Sequence, residues 1–228
     1  MNLYFLVEGR STEAQLYPKW LAVLLPKLTR VKTYQDVTQN NYVLVSGDGY
    51  PQILQKPLSN SIAEINERQN FRYLILCLDA EEVSVDERLS EVKKRYANGE
   101  QLHNADLVTI VQNRCIETWL LGNRRIYKRN PENEQLREFV SHYDVSQHDP
   151  EEMPLLEPFP THAAFHKIYL RKLLEERSGG RGLYSKTNTD AVGQVTYLEE
   201  LRTRVNDEPT HLRTFRAFLE LCANVKMI

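Results

Sequence analysis

The sequence predicts an α/β protein built on a mostly parallel, four-stranded, Rossmann-like sheet flanked by helices, with a helical C-terminal extension. Three observations lead there. Apolar runs at residues 2–7, 41–46, 72–78 and 106–111 are each followed by a stretch with helical spacing. The run Leu74 to Leu78 is continuous rather than alternating, as in parallel strands covered on both faces. Beyond about Asn123 helical patterns succeed one another with no convincing strand between them. The expected division is therefore a core at 1–123 and a helical extension at 124–228 packed on it.

Taken in order, residues 2–7 are rich in aromatic and branched side chains and stop at Glu8-Gly9, the pattern of a buried strand and a turn. Ser11 and Thr12 can cap a helix carrying Leu16, Trp20, Leu21, Val23 and Leu24, which Pro26 ends. The second strand, Tyr42-Val43-Leu44-Val45, breaks at Gly47-Asp48-Gly49, a plain turn, and Pro51 suits the first turn of the next helix. The third strand closes on Asp79, before an amphipathic helix at 84–97 whose start is capped and charged by Glu82, Asp86 and Glu87. A fourth strand leads to a buried helix at 116–121. Right-handed crossovers would join these units. Further helices are expected at 132–143, 162–177, 191–205 and 210–225, with a proline-rich connector at 144–160 and a glycine loop at 178–182.

Composition excludes several classes. At 228 residues, 41% hydrophobic and 26% charged, the chain can bury a sizeable core and is neither disordered nor long enough in apolar runs to cross a bilayer. Met1 to Val7 runs straight into a glutamate and does not read as a signal peptide, so a cytoplasmic location is expected. Three scattered cysteines, Cys77, Cys115 and Cys222, form neither a disulfide framework nor a thiolate zinc site. A net charge of −2 gives no overall pull on nucleic acid, so such a role needs a local basic face or a metal bridge.

The chemistry rests on acids at strand ends. In a parallel sheet the carboxyl ends of the strands line one edge, so Glu8 and Asp79 can meet there although they are distant in sequence. Asp79 and Glu81 form an acid-x-acid pair, and magnesium prefers such hard oxygen ligands, usually one or two carboxylates with water and substrate phosphate. Taken singly, Glu8 reads as a turn residue, Glu13 as a complement to a helix dipole and Lys186 as a solvated loop lysine. His162 and His166 sit at helical spacing without a ligand cluster beside them, the pattern of a surface pair. Arg171, Lys172, Arg177 and Arg181 form a basic run suited to a nucleic-acid backbone, or simply a charged helix face.

Leu6-Val7-Glu8-Gly9 followed by Ser11-Thr12-Glu13 resembles the first motif of Toprim domains, a strand ending in Glu-Gly with a second acid at the next helix. Leu76-Cys77-Leu78-Asp79-Ala80-Glu81 resembles the second, a hydrophobic strand ending in Asp-x-Asp. Through Asn113-Arg114-Cys115-Ile116-Glu117-Thr118-Trp119-Leu120-Leu121, and through Tyr184-Ser185-Lys186, the chain is similar to Toprim nucleases of the OLD type and related small proteins of phage-defence operons. The resemblance implies Mg2+ or Mn2+ held by Glu8, Glu13, Asp79, Glu81 and Glu117, with Glu8, Asp79 and Lys186 catalytic. It further implies hydrolysis of phosphodiester bonds in DNA, or in RNA, in antiviral defence. Because no Walker motif is present, an ATPase partner would come from another chain.

Two departures stand out. Glu81 replaces the usual aspartate, and the spacing from Glu8 to Glu13 is one residue longer than the common form. They leave a second reading open, a catalytically silent Toprim-like module that binds nucleic acid or a partner protein.

Overall fold

The computed structural model of the chain describes residues 1–180 and 184–227. The elements are β1 Leu3–Val7, α1 Thr12–Leu24, β2 Thr29–Arg30, β3 Asn41–Ser46, α2 Lys56–Arg68, β4 Tyr73–Asp79, α3 Val85–Ala97 and β5 Asp106–Gln112. After these come α4 Ile116–Leu120, α5 Glu134–His142, α6 His162–Arg177, α7 Val195–Asp207 and α8 Arg213–Met227. No helix among the described residues is long and apolar enough to cross a membrane.

The sheet has five strands in the order β2-β3-β1-β4-β5, one more than the four expected. The addition is β2, two exposed residues paired to Asn41 and Tyr42, too short and too polar to leave a sequence pattern. All neighbours run parallel: β1 pairs with β3 and β4, and Arg72 and Gln112 carbonyls bind Asp106 and Ala80 amides at the two ends of the β4–β5 ladder. A helix directly after Pro51 is also corrected. Gln52–Leu54 forms a 3-10 turn, and α2 starts at Lys56 with Pro57 in its first turn, where a missing amide costs nothing.

Two compact units divide the chain. One comprises Met1–Asp79, Ser84–Val111 and Phe218–Ile228, the other Ala80–Val83 and Gln112–Ala217. The expected boundary at residue 123 falls inside the second unit, and α8 contributes to both.

In the first unit the consecutive residues Tyr4 and Phe5 point to opposite faces of the sheet, as strand geometry demands. Phe5 meets Tyr17 of α1 at 6.5 Å between ring centroids, and Tyr17 meets Phe218 of α8 at 5.3 Å. On the other face the Tyr4 hydroxyl donates to Glu64 of α2 at 2.6 Å. Helix α3 begins with a capping box: the Ser84 hydroxyl accepts the Glu87 amide, and the Glu87 carboxylate takes the Ser84 amide.

The second unit is helical, around an aromatic cluster of Phe139, Phe165 and Tyr169 with centroids 5.3 to 5.8 Å apart. Arg204 of α7 is buried and donates to the carbonyls of Gly122, Val145 and His148, so one guanidinium ties together two loop segments. Glu151, also buried, accepts from the backbone and hydroxyl of Thr214 at the start of α8. Burial pushes its carboxyl up to about 7, against the pull of those Thr214 bonds. Because its proton is bound more tightly folded than unfolded, this group stabilises fully below its ordinary 4.5, and the contribution is lost as pH rises toward 7. Relative to Glu151→Gln, wild type is expected to lose up to about 3 kcal/mol between those limits, readable from urea midpoints at both pH values.

Candidate metal-binding edge

The carboxyl ends of β1 and β4 form the candidate site. Crossovers leave β1 toward β2 on one side and β4 toward β5 on the other, which makes the crevice between them a topological switch point, where α/β sheets bind ligands. Register pairs Val7 with Cys77, bringing Glu8 level with Leu78 and one residue short of Asp79. The Glu8 carboxylate, 9% exposed, accepts the Asp79 amide at 2.9 Å and the Tyr50 amide at 3.3 Å. Its own carbonyl accepts the Gly49 amide at 3.0 Å. The Gly47-Asp48-Gly49 turn, with φ of 66° at Asp48 and 88° at Gly49, thus wraps around Glu8 and fixes its orientation.

Glu13, buried in the first turn of α1, folds back on Gly9: a methyl at position 9 would fall 2.1 Å from its Oε2. Only glycine allows that approach. Arg88 was hidden in sequence. It is 3% exposed, lies 3.5 Å over the Tyr50 ring, and donates to Glu91, which also accepts the Tyr50 hydroxyl. Its one trace was a charge sharing a helix face with Val92.

The remaining expected residues lie in the second unit. Glu81 is exposed, with φ 54°, and its amide binds the Arg114 carbonyl while Arg114 returns a bond to the Glu81 carbonyl. Arg114, with φ 66°, has the same left-handed backbone, unusual for a side chain of that size. Glu117 is buried in α4 and accepts the Tyr184 hydroxyl at 2.8 Å, which ties down the turn carrying the exposed Lys186 two residues later. Glu82 does not cap α3. Its two oxygens take the backbone amide and Nδ1 of His162, capping α6 instead, and the bonds to His162 lower its carboxyl against the effect of burial. His166 is fully buried, so the expected surface pair of histidines is corrected.

Of the basic run, Arg171 and Lys172 both face Glu175, at 3.5 and 3.6 Å, and Arg177 is exposed at the end of α6. Arg181 lies outside the described residues.

Known proteins offer no match to this chain, whether as a family model, a curated protein or a solved structure. The site is therefore judged on its own donors. Among the described residues no three His, Cys, Asp or Glu side chains are grouped to hold an ion. Glu8 and Asp79 nevertheless suit a magnesium ion, which commonly takes one or two carboxylates and fills its shell with water and phosphate.

Proposed function

We propose that the chain is a divalent-metal-dependent nuclease of Toprim type that hydrolyses phosphodiester bonds in DNA or RNA. The observation that carries this reading is the 2.9 Å bond from the Asp79 amide to Glu8, which locks two acidic strand ends side by side at the switch point. Glu8 and Asp79 would hold the ion. Magnesium or manganese bound there supplies charge neutralisation at a phosphate and a water of lowered pKa. Glu8, oriented by two backbone amides, would receive the proton of an attacking water. The Toprim resemblance assigns Lys186 the offsetting of charge on the phosphate, and extends the proposal to phage defence beside an ATPase from another chain.

A second reading is favoured by a specific observation. Both Glu8 oxygens already serve backbone amides, and no three-ligand group occurs among the described residues, as befits a silent module that binds nucleic acid or a partner. Incubation of plasmid, single-stranded DNA and RNA with the purified protein separates the two. Cleavage with magnesium or manganese that stops on chelation supports the nuclease, whereas inertness toward all three with either ion removes it.

A further inference from the structure

We infer that the His162–His166 face of α6 is a binding site for a borderline transition-metal ion of the zinc class, an inference that does not depend on the nuclease reading. The two histidines are four residues apart in a helix and so share a face. Their ring centroids are 5.9 Å apart and their planes are crossed at 89°. Two imidazoles on one ion, with metal–nitrogen bonds of about 2.0–2.1 Å and angles from tetrahedral to somewhat wider, give centroids roughly 5–6 Å apart.

Each ring is oriented through the same nitrogen. Nδ1 of His162 lies 2.6 Å from Glu82, which also accepts the His162 amide, so the carboxylate grips both backbone and ring. Nδ1 of His166 lies 2.8 Å from the Thr118 hydroxyl. Metal-binding histidines are typically held through the nitrogen that faces away from the ion: the Glu82 carboxylate, an acceptor, holds Nδ1 of His162 and leaves its Nε2 lone pair for the ion, while the Thr118 hydroxyl can accept from or donate to Nδ1 of His166. Thr118 is itself placed by the Cys115 amide at 3.4 Å and the Cys115 sulfur at 3.6 Å.

His166 supplies the observation that points to a ligand. Its Nε2 is buried with no hydrogen-bond partner, in a side chain of 0% exposure. Buried polar atoms of native proteins are almost always satisfied, and an atom that is not calls for an explanation such as an ion. Burial, with help from the nearby His162 and Arg114, pulls this imidazole down to about 3, so the ring is neutral near pH 7 and has no charge to shed before it ligates. Arg114 opposes a cation, and the anionic Glu82 offsets it.

Imidazole suits zinc, nickel and copper, whereas magnesium prefers oxygen. With two protein nitrogens, the rest of the shell would be filled by water from the side of the partly exposed His162.

Calorimetry and cobalt absorption on tag-free, full-length protein test the site. One zinc ion per chain is expected, with cobalt giving a visible band that zinc abolishes and magnesium leaves intact. His162→Ala, at the partly exposed position, is expected to weaken zinc at least tenfold while the far-ultraviolet spectrum is kept. Glu82→Gln, which loosens the ring without removing a ligand, is expected to weaken it 10- to 100-fold. Absence of zinc uptake, or uptake unchanged in His162→Ala, overturns the assignment. Neither result bears on nuclease activity, which is read separately in magnesium.

Discussion

In the proposed nuclease, Glu8→Gln is expected to slow magnesium-dependent cleavage about a thousandfold, and Asp79→Asn by a similar factor, since a positioned acid–base group contributes roughly 10²–10⁴. Glutamine is the informative replacement because of what Glu8 does structurally. Its carboxylate satisfies the amides of Asp79 and Tyr50 in a nearly buried place, and alanine would leave both without their acceptor. Stranding a buried donor costs about 1–3 kcal/mol, so Glu8→Ala confounds a lost reaction with a loosened strand end. Glutamine keeps an oxygen for one amide and removes the charge. Single-turnover cleavage of an end-labelled duplex gives the rate, and an unchanged melting temperature certifies the fold. Variants that equal wild type would transfer the activity elsewhere; wild type and variants equally inert, yet binding the same nucleic acid, would establish the silent module.

The largest stability effect is expected at Arg204. Arg204→Met is predicted to destabilise the second unit by about 3–5 kcal/mol, the range for losing one member of a buried polar arrangement whose partners stay behind. The partners are the carbonyls of Gly122, Val145 and His148, which would face an apolar chain. Arg204→Lys would recover only part of the loss, because an ammonium lacks the planar fork that reaches several acceptors at once. In a Trp20→Phe background, Trp119 fluorescence follows the second unit alone during urea unfolding, since the chain has two tryptophans. Arg202, exposed two residues earlier and paired with the exposed Glu199, is the control. A midpoint for Arg204→Met no lower than that of Arg202→Met would contradict the prediction.

Much of the sheet was legible because parallel strands advertise themselves as apolar runs. Four of the five strands lie where Phe5, Val43, Ile75 and Ile110 suggest. The position of the acids at the strand ends was legible for the same reason, since Glu8 and Asp79 interrupt such runs. Whatever depended on distant partners was not. That Glu82 caps a helix 80 residues away, that His166 is sealed inside, and that Arg88 is buried against an aromatic ring all follow from tertiary neighbours. Local propensity carries no record of these. Strand β2 escaped for the opposite reason: two residues have no periodicity to read.

That brevity has a consequence for self-association. Open sheets end in unpaired backbone groups that can template the addition of another chain, and proteins blunt such margins with very short strands and with basic side chains. Here the outermost ladder is only Thr29 and Arg30, with Lys27 and Lys32 on either side. A second molecule approaching this rim would find few hydrogen bonds to grip and like charges to repel it, so fibril-like stacking along this margin is suppressed at its starting step.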